Sequence, residues 1–165
     1  MKKPDELYNE SLARIQGVDA ITEVSKKILE ITNALYQNEL KDWDGDKLSR
    51  AITSLAVLRV NLGKEMANAV AYYDISYTYR KMRYASEWKP TKAALSMELK
   101  RATIQDIDSE ILANIAQEQE DELKNKHYAE QLRTLYDSTE TLITAMQSRL
   151  GVLKQERYET RHHGA

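Results

Sequence analysis

The chain has 165 residues and no cysteine, which excludes disulfide bonds and thiolate chemistry. No uninterrupted apolar run approaches the roughly 20 residues that cross a bilayer, and the N-terminus lacks the apolar core of a signal peptide. Because the net charge is only −2, a basic surface can come only from the distribution of charge along the chain. We therefore expect a soluble, cytoplasmic protein that does not bind membranes.

The composition favours helix along the whole chain. Phe is absent, Gly occurs five times and Pro twice, so residues that turn or break the chain are scarce. Ala, Leu, Glu, Lys and Gln are strong helix formers and are abundant. We predict an all-α fold of long antiparallel helices that bury their apolar stripes against one another.

Two helices are predicted before residue 42. The first is short and runs from Pro4 to Gly17. Asp19 is suited to cap the second helix, because apolar residues follow it at helical spacing, and this helix should end near Lys41. The apolar series comprises Ile21, Val24, Ile28, Ile31 and Leu35.

A third helix is predicted from Lys47 to Trp88, after a turn at residues 42–46. We expect it to end there because Pro90 biases the residue before it out of the α region. At about 1.5 Å per residue this helix would be about 60 Å long. Its apolar stripe comprises Leu48, Ile52, Leu55, Leu58, Leu62, Met66, Val70, Tyr73, Tyr77, Tyr84 and Trp88.

The chain beyond the proline is also predicted to be helical. Thr91 can cap a helix, and a second capping signal begins at Thr103, so the sequence leaves open whether the helix breaks there or continues. We divide the chain into an N-terminal helical region (1–90), a C-terminal helical and coiled-coil region (91–159) and a disordered tail (160–165).

A heptad-like apolar seam in the C-terminal helix predicts a partner helix. About three heptads are marginal for a helix in isolation, so the seam needs further contacts. The sequence does not separate packing within the chain from self-association, and we predict a homo-oligomer assembled through this seam. The predicted oligomerisation residues are Leu132, Leu135, Leu142, Met146, Leu150 and Leu153.

Charge is segregated on either side of residue 101. Residues 80–101 hold seven basic and two acidic side chains, whereas residues 102–123 hold seven acidic and no basic ones. In one interpretation the two blocks neutralise each other, within the fold or between subunits. In the other, the basic block binds an anionic partner.

The basic block overlaps an aromatic one. Residues 72–101 hold five of the ten tyrosines and one of the two tryptophans. Because cations meet phosphates and flat rings stack on unpaired bases, this mixture is typical of a surface for single-stranded nucleic acid. A membrane-surface helix is the weaker interpretation, since the segment has no broad Leu/Phe face.

Helical spacing divides these residues into two groups. Four rings continue the leucine stripe, and we assign them to the core or to a subunit interface. These rings belong to Tyr73, Tyr77, Tyr84 and Trp88. Tyr72, Tyr79 and Arg83 cluster on a face that the stripe does not require. Arg80 and Lys81 flank the aromatic row, and the basic residues beyond Pro90 extend the site. The predicted nucleic-acid contacts are Tyr72, Tyr79, Arg80, Lys81, Arg83, Lys89, Lys92, Lys100 and Arg101.

Patterns typical of catalytic and metal sites are missing from the sequence. It has no Gly-rich phosphate loop, nucleophile elbow or zinc-binding helix motif. Asp42, Asp44 and Asp46 resemble the start of a calcium loop, but the glycine and the terminal glutamate of that loop are out of place. A turn with a helix cap is the better interpretation. We predict that the chain is not an enzyme and binds no metal and no cofactor.

Two segments resemble the UvsY-type recombination mediators of bacteriophages. The first is RVNLGKEMANAVAYYDISYTYRKMR, in which a helix carrying Lys64 runs into the pair Tyr72 and Tyr73. The second is the amphipathic YAEQLRTLYDSTETLITAMQSRLGVLKQER. The resemblance is one of layout, with one short motif, and it covers residues 48–158.

This resemblance implies a helical oligomer that binds single-stranded DNA in the cytoplasm of a bacterial host. It implies two protein partners, a phage or host RecA-like recombinase that is loaded on DNA and a single-strand-binding protein that is displaced. A ring of subunits would present many weak DNA sites and gain affinity through avidity.

A function of another class stays open, that of an oligomeric coiled-coil structural or adaptor protein without nucleic-acid binding. In such a protein the two charge blocks would pair head to tail between subunits. Substitution of Arg80 and Arg83 by glutamate separates the two functions. From the sequence, we expect it to abolish DNA binding in a mediator and to disrupt the oligomer in an adaptor.

Overall fold

The computed structural model describes residues 6, 19–37, 43–98 and 101–163 of the chain. These residues form four helices and contain no strand, so the predicted all-α fold is confirmed. The helices are α1 (Asp19–Tyr36), α2 (Gly45–Glu98), α3 (Ile104–Asn114) and α4 (Ala116–His163). Only residue 6 of the first predicted helix, Pro4–Gly17, is described, and the predicted end of the second helix near Lys41 lies outside the described residues. Among the described helices, none is both long enough and apolar enough to cross a bilayer.

Helix α2 continues through Pro90 to Glu98, so the predicted end at Trp88 is wrong. A proline inside a helix removes a backbone hydrogen bond and costs about 3 kcal/mol. Tertiary packing offsets this cost. Thr91 is buried, and Trp88 and Leu95, on either side of the proline, pack against the isoleucines of α3.

Helix α3 begins after a capping box at Thr103, so the helix is interrupted there. The sequence alone leaves open whether the helix breaks or continues at this point. The Asp106 N–H donates to Thr103 Oγ1 over 3.2 Å. In return, Thr103 Oγ1 and N–H donate to Asp106 Oδ2 over 2.7 and 2.9 Å. These hydrogen bonds to the carboxylate lower the pKa of Asp106 below its ordinary value.

Helix α4 reaches His163, so residues 160–163 are helical where the sequence predicts a disordered tail. Side chains four residues apart support the last turns. Gln155 Nε2 donates to Glu159 over 3.0 Å, and Thr160 Oγ1 donates to the Glu156 carbonyl over 2.7 Å. Residues 154–157, just before this segment, are strong helix formers and favour continuation of the helix over disorder.

Contacts divide the described residues into two compact units, to which α2 and α4 both contribute. The α3 unit comprises Ala67–Glu130 and contains α3. The α1 unit comprises Val18–Met66 with Gln131–Ala165 and contains α1.

The α1 unit has an apolar core to which α1, α2 and α4 all contribute. Leu48, Leu55 and Met146 are wholly inaccessible to solvent. Full burial of side chains of this kind stabilises a fold by about 1.5–3 kcal/mol each. The core residues are Ile28, Ile31, Leu48, Leu55, Leu142 and Met146.

Helices α2 and α4 run antiparallel in the α1 unit. Arg59 Nη2 donates to Glu140 Oε2 over 2.7 Å, and a Cβ placed on Gly63 would lie 3.4 Å from the ring of Tyr136. Residue numbers therefore rise along one helix and fall along the other. The guanidinium of Arg59 also lies over that tyrosine ring, 4.4 Å from its centroid.

All six predicted oligomerisation residues lie in the α1 unit. Leu132, Leu142 and Met146 are buried, and the other three are partly buried against the core. These three are Leu135, Leu150 and Leu153. The seam thus has a packing partner within the chain, and its role in self-association stays a prediction.

The α3 unit combines an apolar cluster with a buried polar contact. Ile107 and Ile111 of α3 form the cluster with Ile115, the C-cap residue of that helix, and Tyr84, Trp88 and Leu95 of α2 pack on it. Nearer the start of α4, the buried Asn125 amide donates to Ser76 Oγ over 3.2 Å. Because buried polar groups are costly without partners, this hydrogen bond favours one register of α2 against α4.

Candidate nucleic-acid interface

Arg80 and Arg83 of α2 face α4, where each pairs with a glutamate. Arg80 Nε donates to Glu122, and Arg83 Nε donates to Glu118 Oε1 over 3.1 Å. Each of these two glutamate side chains is 14% exposed, so the pairs lie partly inside the helix interface. We call the four residues the Arg–Glu ladder.

The spacing of the ladder follows from helix geometry. Residues three or four apart share one face of a helix, so Arg80 and Arg83 lie together, as do Glu118 and Glu122. Because α2 and α4 are antiparallel here, Arg80 lies opposite Glu122 and Arg83 lies opposite Glu118. The hydrogen bond to Glu118 raises the pKa of the Arg83 guanidinium above its ordinary value.

Two predicted nucleic-acid contacts are thus neutralised within the chain. At Arg80 and Arg83, the structure agrees with the interpretation that the two charge blocks pair inside the fold. Arg83 Nη1 also lies 3.3 Å from Glu87, so three carboxylates surround the two guanidinium groups.

Lys81 has a different environment. Its side chain is exposed, and Nζ lies over the half-buried ring of Tyr77, 4.5 Å from the centroid. The Arg80 guanidinium lies 5.6 Å from the same centroid, and the ring of Tyr73 is 6.3 Å away. A cation over a ring at an exposed site gains about 0.5–1 kcal/mol, so this ammonium group is held beside an aromatic pair.

Lys89 and Lys92 are exposed farther along α2. Neither has an ion pair with another residue in the described part of the chain. At 3.6 residues per turn, Lys81, Lys89 and Lys92 fall within about 80° of one another around the helix. We call these three residues the lysine row. Arg101 is exposed before α3, and Lys100 lies outside the described residues.

Tyr72 and Tyr79 were predicted to stack on bases. Both are half-buried, and each is already engaged in an interaction within the chain. The aromatic ring next to the lysine row is instead that of Tyr77, which the leucine stripe had assigned to the scaffold.

Tyr84 and Trp88 have the scaffold role that helical spacing predicts. Their ring centroids are 6.2 Å apart, and both rings pack on the isoleucines of α3. The Tyr84 hydroxyl donates to Asp108 Oδ1 over 2.5 Å. This hydrogen bond, with burial and the negative charge of Asp108, raises the pKa of Tyr84 above its ordinary value.

Asp44, just before α2, caps the helix. Lys47 N–H donates to Asp44 Oδ1 over 2.7 Å, which makes Asp44 the N-cap residue. Asp42 lies outside the described residues. In the part of the chain that the structure describes, no three His, Cys, Asp or Glu side chains are grouped as metal ligands.

The sequence did not predict two features of the interface. The Arg–Glu ladder joins residues 35 and 42 positions apart, although the spacing of Arg80 and Arg83, matched by that of Glu118 and Glu122, was a usable signal. The contact of Tyr77 with Lys81 was visible as a pair four residues apart on one helix.

Comparison of the chain with protein-family models, with curated proteins and with solved structures gave no match.

Proposed function

We propose that the chain binds single-stranded nucleic acid through the lysine row on α2. The observation that carries the proposal is the ammonium group of Lys81 over the ring of Tyr77, 4.5 Å from its centroid, at an exposed position. Lys89 and Lys92 extend the same face and are also exposed.

The distribution of acids on α2 supports this proposal. Between residues 75 and 97 the only acidic residue is Glu87, and it contacts Arg83 at 3.3 Å. Glu87 is roughly 120° or more around the helix from each member of the lysine row. A phosphate backbone that approaches the row therefore meets no carboxylate of α2 on that face over this length.

The expected chemistry is electrostatic. Lys81 and Lys92 are about 16 Å apart along the helix at about 1.5 Å per residue. That length matches about five nucleotides of a stacked strand at roughly 3.4 Å each. Each neutralised phosphate of a single strand releases counterions, and three lysines contribute about −2 to the slope of log affinity against log salt.

The biological role that we propose is that of a recombination mediator in the cytoplasm of a bacterial host of a phage. Support comes from the layout of Lys64, Tyr72 and Tyr73 and from the amphipathic C-terminal helix, which resemble the UvsY-type proteins. In this role the chain is a homo-oligomer whose copies add weak DNA contacts into useful avidity. Its protein partners are a RecA-like recombinase, which it loads, and a single-strand-binding protein, which it displaces.

Fluorescence polarisation with labelled oligo-dT tests the binding function. The titration is made at low salt and again at about tenfold higher salt, with a duplex of the same length as the comparison. We expect saturable binding of the single strand that weakens steeply with salt and exceeds binding of the duplex. Absence of binding at low salt contradicts the proposal.

The Arg–Glu ladder favours a second candidate function, a coiled-coil structural or adaptor protein. Internal pairing of Arg80 and Arg83 leaves fewer cations for a nucleic acid. Such a protein would show no affinity for oligo-dT at low salt while light scattering gives the mass of an oligomer. Binding of oligo-dT that depends on the lysine row contradicts this alternative.

A further inference from the structure

The Arg–Glu ladder occupies the groups that a phosphate would need. The guanidinium fork binds carboxylate and phosphate with the same N–H groups. In this chain the Nε of Arg80 and that of Arg83 both donate to carboxylates of α4. A nucleic acid can use the Nε–H of either arginine only by replacing a glutamate.

We propose that α4 competes with the nucleic acid for Arg80 and Arg83, so that the ladder is an autoinhibitory contact. This inference rests on the proposed nucleic-acid binding and adds its regulation. The lysine row provides the first, weak attachment of the strand. Arg80 and Arg83 bind the strand only when its phosphates displace Glu118 and Glu122.

The exposure of the arginines makes this exchange feasible. The side chains of Arg80 and Arg83 are 24% and 39% exposed, so part of each guanidinium already reaches solvent. Ion pairs with access to water are weak and are screened by salt. The Lys81 ammonium and the Arg80 guanidinium lie 4.5 and 5.6 Å from the centroid of the same Tyr77 ring, so a strand attached at Lys81 has phosphates near Arg80, which raises their local concentration there.

The position of the acidic block supports the same inference. Glu118 and Glu122 belong to the run of acids without a basic residue at 102–123. Their side chains are largely shielded, which keeps them in place opposite the arginines. A partner that draws the start of α4 away from α2 would release two cations at once.

The test compares two double variants that remove the same charge. Glu118→Gln with Glu122→Gln removes the two α4 carboxylates that face the arginines, whereas Glu98→Gln with Glu110→Gln removes two exposed carboxylates. Neither of the control residues has an ion pair within the described part of the chain. Polarisation titrations with oligo-dT are run for both at the same salt concentrations.

We expect the ladder variant to bind about tenfold more tightly than the control. Its slope of log affinity against log salt should be steeper by about 1.4, because two more phosphates are neutralised at about 0.7 each. Addition of Arg80→Gln and Arg83→Gln to the ladder variant should return its affinity to that of the unmodified chain. Circular dichroism verifies that helicity is retained.

A measurement on the unmodified chain covers the case in which the ladder variant loses helicity. The ¹⁵N resonances of Arg80 and Arg83 Nε should move when oligo-dT is added to saturation. Resonances that stay in place while the strand binds overturn the competition.

The outcomes separate this inference from the proposed function. Equal affinities of the ladder variant and the control overturn the autoinhibitory contact and leave nucleic-acid binding intact. Absence of binding by every variant overturns both. Tighter binding by the ladder variant alone, reversed by removal of the arginines, supports both.

Discussion

Arg83 donates a hydrogen bond from Nε to Glu118 over 3.1 Å, although the two residues are 35 positions apart in the chain. The contact joins α2 to α4 within the α3 unit and, with that of Arg80 and Glu122, helps to set the register of the two helices. It also places the basic block and the acidic block of the sequence against each other.

The first prediction concerns reversal of these arginines. Arg80→Glu with Arg83→Glu would bring two more carboxylates beside Glu118 and Glu122. We expect the free energy of unfolding to fall by about 1–2 kcal/mol, because two weak attractions become repulsions. Urea denaturation measures this change.

The neutral pair Arg80→Gln with Arg83→Gln is the control for this experiment. It should cost less stability than the charge reversal, since it removes the attraction without adding repulsion. An unchanged urea midpoint for the charge reversal would show that the ladder does not form in solution.

The second prediction tests the core of the α1 unit. Leu55 is wholly buried, whereas Val57, two residues along the same helix, is 59% exposed. Leu55→Ala should lower the free energy of unfolding by about 2–5 kcal/mol, because it removes buried methyl groups and leaves a cavity. Val57→Ala should change it by less than about 0.5 kcal/mol. Similar costs for both would mean that α2 presents a different face to the core.

The third prediction asks what the C-terminal seam contacts. Met146 is wholly buried in the α1 unit. Met146→Ala should therefore lower the free energy of unfolding by about 2–5 kcal/mol without changing the mass of the native protein. Denaturation and light scattering on the same sample measure both quantities. A smaller mass with an unchanged midpoint would instead assign the residue to a subunit interface, as the heptad pattern predicts.

The fourth prediction uses the raised pKa of Tyr84, which hydrogen-bonds to Asp108. The folded chain favours the neutral phenol, so the contact stabilises the fold fully below the ordinary tyrosine pKa of about 10. This stabilisation is lost as the pH rises through the higher pKa of the folded chain. Urea midpoints of the unmodified chain and of Tyr84→Phe should therefore converge above pH 10. A difference that stays constant up to pH 11 would contradict the hydrogen bond.

Periodicity predicted the long helices and most of the core, because buried positions such as Leu48 and Leu55 recur on one helix face. The helix end predicted at Trp88 is wrong, because packing of Trp88 and Leu95 on α3 outweighs the local cost of Pro90. Rules based on neighbouring residues in the sequence do not include the energy of packing between helices. The prediction of a disordered tail failed at residues 160–163, because the strong helix formers at residues 154–157 favour continuation of the helix.

The candidate site was predicted less well than the fold. Lys81, Lys89 and Lys92 are predicted contacts, and the structure leaves all three exposed on α2, whereas the predicted helix end at Trp88 separates the last two from the first. The sequence did not identify the glutamates that pair with Arg80 and Arg83, because pairing between helices depends on their register. Register is set by contacts such as the hydrogen bond of Asn125 with Ser76, which no local sequence pattern predicts.

The lysine row is the proposed first site of nucleic-acid attachment. The decisive measurement is the salt dependence of oligo-dT binding by Lys81→Gln/Lys89→Gln/Lys92→Gln. The control is Lys26→Gln/Lys126→Gln/Lys154→Gln, which removes three exposed lysines elsewhere. We expect the row variant to lose about tenfold or more in affinity at low salt and about 2 in slope, while the control keeps the slope of the unmodified chain. Equal affinities and slopes for the two variants would contradict the account.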